Sequence, residues 1–108
     1  MAFAEIGGTV LHYELLGDPE ADRTIVFANS LGTDFRIWLP VFDELDDDIA
    51  ILLYDKRGHG LSGLGKQPST IEDHAQDLID LCGKLGIRKA VFCGLSVGGL
   101  IAQGVWKL

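Results

Sequence analysis

The sequence predicts an α/β fold, built on a mostly parallel sheet with an antiparallel hairpin at one edge. Three short runs are almost wholly apolar, as in strands that are buried on both faces of a parallel sheet: residues 24–28, 49–54 and 90–93. Segments with helical spacing separate the runs, and alternating strands and helices favour parallel pairing through right-handed crossovers. The apolar content of 47% in 108 residues also fits such a buried sheet.

The antiparallel hairpin is predicted from the opening residues. Residues 9–15 have the composition of a strand, follow a glycine turn at residues 7–8, and can pair with residues 2–6. The Gly-Asp-Pro sequence of residues 17–19 then predicts a turn ahead of the first apolar run. We therefore expect the hairpin to extend one edge of the sheet.

The first helical segment lies between the first two apolar runs. Residues 35–45 place apolar side chains at helical intervals, and Asp34 is a candidate N-cap. Pro40 lies inside this segment, where its ring and its missing N–H should limit or kink the helix.

The second helical segment, residues 69–85, is the clearest helix of the chain. Ser69 and Glu72 have the spacing of a capping box at its start, and Gly86 is a suitable residue just after its end. Apolar residues fall on one face, as in a helix that packs against a sheet. Another helix is predicted from residue 97 to residue 108, after the third apolar run.

Charge excludes some classes of partner and ligand. The formal net charge of −7 argues against binding to nucleic acid or to an anionic membrane surface. Part of this charge lies in the acidic stretch of residues 43–48. The stretch lacks the spacing of a calcium loop, so it predicts a solvated loop rather than a metal site. No cofactor is expected.

Two further features suggest a cellular compartment. The two cysteines, Cys82 and Cys93, lie in apolar surroundings without metal-type spacing, and we expect both to be core thiols. The chain opens with no recognisable cleavable signal, and no apolar run approaches the roughly 20 residues that span a bilayer. A cytoplasmic location is the default expectation.

Candidate chemistry falls in the loops that leave the carboxyl ends of the predicted parallel strands, where such sheets bind ligands. The strongest signal is Gly94-x-Ser96-x-Gly98, between the third strand and a helix. This arrangement predicts a nucleophile elbow, in which a serine is held in a strained turn that leaves no space for a β-carbon at the glycines. A phosphate-binding turn would need glycine motifs that are absent, and a plain structural turn is the remaining alternative.

The loop at residues 29–33 is expected to complete an oxyanion hole. Such a hole takes one amide from the residue after the nucleophile and another from the loop after a neighbouring strand. We assign these amides to Val97 and Leu31, and Gly32 would let the backbone turn close to a ligand. The alternative is an ordinary connection between a strand and a helix.

None of the three histidines is assigned as a catalytic base. His59 lies in a loop that its polar neighbours are expected to hold together: Asp55, Arg57 and Ser62. This setting favours a structural role. His12 is predicted in a strand near the opposite edge, and His74 is expected to be solvated on the surface of a helix.

Together the three loops resemble those of the α/β-hydrolase fold. The elbow reads Gly94-Leu95-Ser96-Val97-Gly98-Gly99, and residues 55–62 read Asp-x-Arg-Gly-x-Gly-x-Ser. The segment Asn-Ser-Leu-Gly-Thr-Asp at residues 29–34, followed by Trp38, is similar to that of the 3-oxoadipate enol-lactonases. Most relatives have His-Gly where this chain has Asn-Ser.

The resemblance implies a hydrolase that acts on a small-molecule ester or lactone through an acyl-enzyme at Ser96. The most particular expectation is 3-oxoadipate enol-lactone, an intermediate of bacterial aromatic breakdown. Other esters, thioesters or carbon–carbon bonds stay open as substrates on the same scaffold. A non-catalytic binding module with a hydrolase-like fold is the alternative from a different functional class.

The resemblance covers the whole chain but only the first part of the usual length of the family. The family order is serine, then acid, then histidine, and residues 97–108 contain no Asp, Glu or His. We therefore expect residues 1–108 to be the amino-terminal part of one domain, without its acid, base and cap, and nearly inactive alone. The strand at residues 90–93 would be an apolar edge, to be covered by a second chain or a swapped element.

Overall fold

The computed structural model describes residues 2–18, 20–29, 34–44, 49–65 and 69–107. The strands are β1 (Ala2–Ile6), β2 (Thr9–Gly17), β3 (Thr24–Ala28), β4 (Ala50–Tyr54) and β5 (Ala90–Gly94). The helices are a 3₁₀ helix (Phe35–Glu44), α1 (Ile71–Lys84) and α2 (Val97–Lys107). Each predicted strand and helix is present, with bounds that differ by two residues or fewer.

The five strands form one mixed sheet in the order β1-β2-β4-β3-β5. β3 pairs in parallel with β4 on one side and with β5 on the other. β1 pairs antiparallel with β2, which pairs antiparallel with β4. These pairings confirm the predicted parallel sheet with an antiparallel hairpin at one edge. They also place the ends of β3, β4 and β5 along the same side of the sheet.

Both faces of the sheet are covered, because neighbouring residues of each central strand alternate between two apolar clusters. Val26 and Leu52 pack on the α1–α2 side, together with Leu78, Leu81 and Ile101. Phe27 and Leu53 pack on the opposite side against Trp38 of the 3₁₀ helix. This two-sided burial explains why β3 and β4 are continuous apolar runs rather than alternating ones.

The structure corrects the predicted start of α1. Thr70, rather than Ser69, is the N-cap: its hydroxyl accepts a hydrogen bond from the Asp73 amide, and the Asp73 carboxylate accepts one from the Thr70 amide. The capping box is therefore displaced by one residue from the predicted pair of Ser69 and Glu72. Gly86 follows the helix with φ of +73°, as predicted.

The segment after β3 is a 3₁₀ helix rather than an α-helix. Asp34 accepts a hydrogen bond from the Arg36 amide, which confirms it as the cap of this helix. Pro40 lies inside the helix, where it removes one backbone donor. No helix among the residues described is long and apolar enough to cross a membrane.

The prediction for the cysteines is half right. Cys82 is buried in the core on α1, and burial raises the pKa of its thiol to about 11. Cys93 is exposed, because β5 is the outermost strand of the sheet among the described residues and pairs there with β3 alone.

Candidate active site

Ser96 lies in the tight turn between β5 and α2. Its φ is +57°, and it is the one non-glycine residue with positive φ in the part of the chain that the structure describes. A residue with a β-carbon is strained in this conformation, and such strain is concentrated at functional sites. The residue is exposed. The turn has the geometry that the sequence predicts for a nucleophile elbow.

The two glycines that flank Ser96 are required by close backbone contacts. A β-carbon on Gly94 would overlap the backbone of Gly98 and Gly99. A β-carbon on Gly98 would overlap the carbonyl of Ala28, at the end of β3. The Leu95 amide donates to that same carbonyl over 3.1 Å. The elbow is thus packed directly against the end of β3.

The Val97 amide remains available at the start of α2. The amides of Gly98 and Gly99 donate to the carbonyls of Leu95 and Ser96 over 3.0 and 2.9 Å. The Val97 N–H has no acceptor among the described residues, as expected for the first residue of a helix. Leu31, the other predicted oxyanion amide, and Gly32 lie outside the described residues.

The chain that leaves β3 is anchored at Asn29. This residue is buried, and its side-chain oxygen accepts a hydrogen bond from the Trp38 indole N–H over 3.3 Å. The Trp38 ring packs against Phe27, with 4.8 Å between the ring centroids. Lys56, which follows β4, donates from Nζ to the Asn29 carbonyl over 3.4 Å. Burial lowers the pKa of Lys56 to about 8, against the opposing attraction of Asp55.

The loop after β4 is tied to β2 through a buried histidine and aspartate. The His12 Nδ1 lies 2.9 Å from Asp55 Oδ2, which also accepts from the Leu61 amide over 3.1 Å. Ser62 donates to the Asp55 carbonyl and accepts from the His12 amide. The predictions that His12 lies in a strand and that polar residues hold the loop together are confirmed. The hydrogen bonds that join His12 to this loop were not predicted.

A buried ion pair joins the same loop to α1. Arg57 donates to both carboxylate oxygens of Asp77, with each distance 2.7 Å. This pairing raises the pKa of the Arg57 guanidinium, whose side chain is almost fully buried. Sequence reasoning missed Asp77. Helical spacing gave no signal for it, because Asp77 lies outside the predicted apolar face and its burial appears only in the structure.

His59 and His74 lie on the α1 side of the elbow and border the same cleft as Val97. His59 Nδ1 is 3.2 Å from the Arg57 carbonyl, in keeping with its expected structural role. His74 is half-buried rather than solvated, which corrects the prediction. Its Nε2 is 3.3 Å from the Ser69 hydroxyl, and burial lowers its pKa.

None of these contacts supplies Ser96 with a base. No histidine forms a hydrogen bond with the Ser96 hydroxyl in the part of the chain described. The same part holds no cluster of three or more acidic, His or Cys side chains that could bind a metal ion. Residues 45–48 of the acidic stretch lie outside it. The described residues show a strained, exposed turn at Ser96, followed by a Val97 N–H that has no acceptor among them.

Comparison with known proteins identifies the architecture. The chain is 41% identical over 95 residues to 3-oxoadipate enol-lactonase 1 of Acinetobacter baylyi, covering 88% of this chain and 35% of that protein. RutD of Stutzerimonas stutzeri, a protein named as a carbamate hydrolase, is 38% identical over 93 residues, with coverage of 84% and 35%.

The structural comparison agrees. The enol-lactonase from Burkholderia xenovorans LB400 superposes with a TM-score of 0.87 at 44% identity, covering 93% of this chain and 39% of that one. The chain spans about a third of the length of the curated relatives named above. The model of the alpha/beta hydrolase family matches residues 25–107. This chain therefore belongs to the alpha/beta hydrolase family.

Proposed function

We propose that the protein containing this chain hydrolyses carboxylic esters or lactones, with Ser96 as its nucleophile. The observation that carries the proposal is the positive φ of Ser96, in a turn where the flanking glycines have no space for a side chain. The Val97 amide, at the start of α2, has no acceptor among the described residues and would serve as an oxyanion donor. Relatives named as enol-lactonases support a lactone as the substrate.

The reaction begins when the Ser96 hydroxyl oxygen attacks the carbonyl carbon of the substrate and loses its proton to a base. The carbonyl oxygen becomes an oxyanion, which the amides of Val97 and Leu31 stabilise by hydrogen bonds. Collapse breaks the bond to the ring or alcohol oxygen, which takes up a proton and leaves an acyl-serine. Water then releases the carboxylic acid and restores the serine.

The acid and base of this scheme are assigned to no residue of positions 1–108. The family order places both after the serine, and residues 97–108 carry neither. We infer that residues 1–108 supply the nucleophile and the oxyanion hole of one domain. An isolated chain would retain only the small acceleration that these groups give without a base.

The substrate we favour is 3-oxoadipate enol-lactone. The side-chain oxygen of Asn29 accepts a hydrogen bond from the Trp38 indole N–H, and both residues belong to the segment that resembles enol-lactonases. The relative named as a carbamate hydrolase points to a second acyl group that the same elbow could process. Both reactions begin with attack at a carbonyl, so the nucleophile assignment is common to them.

In the part of the chain that the structure describes, no strand lies beyond β5, which supports the proposal that further structure covers this side. Large apolar side chains are exposed on β5, in the turn after it and on α2: Val91, Leu95, Leu100 and Trp106. An unpaired apolar edge strand favours association with another chain. The remainder of the domain, a second chain or a swapped element would bury this surface.

The proposal can be tested with a fluorophosphonate probe on the full-length gene product that contains these residues. We expect covalent labelling at Ser96, abolished by Ser96→Ala and kept by the control Ser69→Ala. Turnover of the enol-lactone should fall about 10⁴- to 10⁶-fold in Ser96→Ala. Comparison with a simple phenyl ester and a carbamate would rank the substrate classes. Labelling of wild type at another residue, or full turnover in Ser96→Ala, would contradict the proposal.

A further inference from the structure

The cleft on the α1 side of the elbow has no part in the reaction scheme above. Its volume is about 540 Å³, which is within the range of small-molecule sites in proteins. The loop after β4, the start of α1 and the first residue of α2 line it. That first residue is Val97, which follows Ser96 directly in the chain. A group bound in this cleft would therefore lie close to the proposed nucleophile.

The lining of the cleft is both polar and apolar. Two half-buried imidazole rings contribute to it, His59 from the loop and His74 from α1. Apolar side chains line it as well: Leu64, Ile71 and Val97. A few polar groups in an apolar wall are typical of sites that bind small molecules. The combination fits a short carbon chain that ends in a polar group.

The hydrogen bond that His59 makes within its own loop fixes one of its protons. Its Nδ1 lies 3.2 Å from the Arg57 carbonyl, and a carbonyl oxygen can only accept, so Nδ1 carries a proton. The Nε2 atom has no hydrogen-bond partner in the part of the chain that the structure describes. In the neutral ring Nε2 is an acceptor, and protonation makes it a second donor. An anionic acceptor in the cleft would satisfy the protonated ring.

His74 shows which charge would complete the cleft. Burial lowers the pKa of His74, and repulsion from Lys56, Arg57 and His59 lowers it further. Of the described acidic groups, Asp77 on the same helix acts against them, but both of its oxygens already accept from Arg57. The residue that α2 adds to the lining is uncharged. A bound anion would supply a counter-charge for the imidazolium form.

We propose that this cleft is a carboxylate-binding subsite, in which His59 donates a hydrogen bond to a free carboxylate of the substrate and His74 adds a second imidazole that can be protonated. This inference rests on the proposed function, and it narrows the substrates to esters or lactones whose acyl part ends in a carboxylate. The enol-lactone has this form, because a dicarboxylic acid that closes one carboxyl group into a lactone keeps the other free. Such a contact is made in the ground state and the transition state alike, so its loss should raise KM and leave kcat nearly unchanged.

The test compares two substrates on the full-length gene product. The monophenyl ester of succinate ends in a carboxylate, and phenyl butyrate has an acyl chain of the same length that ends in a methyl group. In His59→Asn the shorter amide can still donate to the Arg57 carbonyl, but it has no counterpart of Nε2. We expect KM for the succinate ester to rise about 10-fold, with kcat within about twofold and both constants for phenyl butyrate unchanged.

Two further variants and the pH profile sharpen the test. His74→Gln removes a group that can be protonated and should raise KM for the succinate ester about two- to fivefold. Arg88→Gln is the matched control for charge, because Arg88 is exposed at the opposite end of the sheet, where β3 and β4 begin, and it should change neither KM. An imidazole loses its proton as pH rises, so the ratio of KM for the succinate ester to KM for phenyl butyrate should rise in wild type from about pH 6 to about pH 8.

The outcomes separate this inference from the proposed function. Equal KM for the two esters in wild type, or an equal change for both in His59→Asn, overturns the subsite, and labelling of Ser96 then leaves the function intact. If His59→Asn does not fold, the wild-type pH profile decides, since a rising ratio of KM values supports the subsite and a level ratio overturns it. Failure to label Ser96 in wild type overturns both proposals.

Discussion

The two sides of the central strands are stabilised by different means. On the β2–β4 side, buried polar side chains join β2, the loop after β4 and α1 through the hydrogen-bonded pair His12–Asp55 and the ion pair Arg57–Asp77. On the β5 side, the elbow is held by backbone in contact with backbone at two glycines. No ion pair reaches β5 or α2 in the described part of the chain.

The two kinds of support suit the two regions, because the elbow has to leave Ser96 accessible and the loop after β4 does not. Side-chain ion pairs hold a loop firmly but occupy the space in which they lie. The backbone contacts at Gly94 and Gly98 hold the elbow without using a side chain, and Ser96 is exposed. A strained turn needs rigid support, and backbone contacts supply it while the hydroxyl stays exposed. The comparison predicts that the two sides respond to different kinds of substitution.

The largest expected effect is on the ion-paired side. Asp77→Asn removes the charge that balances Arg57, and both side chains are almost fully buried. We expect the free energy of unfolding to fall by about 3–5 kcal/mol, because an uncompensated charge is left in the interior. Urea denaturation of the full-length protein would measure it.

Arg36→Ala is the control for this prediction. Arg36 also pairs with a carboxylate at 2.7 Å, but its side chain is 77% exposed. The unfolding midpoint should not move, since solvent screens an exposed pair. Equal losses in Asp77→Asn and Arg36→Ala would show that burial of the Arg57 pair is not what stabilises this side.

A smaller effect is expected at the elbow. Gly98→Ala would drive a β-carbon into the Ala28 carbonyl, which belongs to the sheet and cannot move freely. We expect a loss of about 2–3 kcal/mol in stability and reduced fluorophosphonate labelling of Ser96. Differential scanning fluorimetry and the labelling rate would report the two consequences separately.

The matched substitution is Gly83→Ala in α1. A β-carbon at Gly83 meets no atom within 4 Å, so alanine should stabilise the helix by up to about 1 kcal/mol. If Gly98→Ala proved as harmless as Gly83→Ala, the elbow would not be supported by the contact with β3.

Local patterns in the sequence predicted the features that depend on neighbouring residues. Continuous apolar runs identified the buried strands, and Gly-x-Ser-x-Gly located the strained turn at Ser96, because both are set within a few positions. The features that were missed join distant parts of the chain. His12 and Asp55 are 43 residues apart, and no local pattern indicates that their side chains meet.

The exposure of Cys93 on β5 could not be predicted from its neighbours in the sequence either. The surroundings of Cys93 are apolar in sequence, but its burial depends on whether a strand lies beyond β5. Lys56 shows the converse, since a lysine in a glycine-rich loop has the composition of a solvated surface and is buried in the fold. Both outcomes are set by tertiary packing rather than by composition.

The smallest effect we predict concerns the one-residue displacement of the α1 cap. Thr70→Ala removes the hydroxyl that accepts from the Asp73 amide and should destabilise the protein by about 1 kcal/mol. Ser69→Ala should cost less, because its hydroxyl faces His74 at 3.3 Å and caps no amide. Chemical denaturation of the two variants in parallel decides between the caps. A hydroxyl at the start of a helix stabilises it where it accepts a hydrogen bond from an otherwise unpaired backbone amide. A larger loss of stability in Ser69→Ala than in Thr70→Ala would therefore favour the capping box of Ser69 and Glu72 that the spacing predicted.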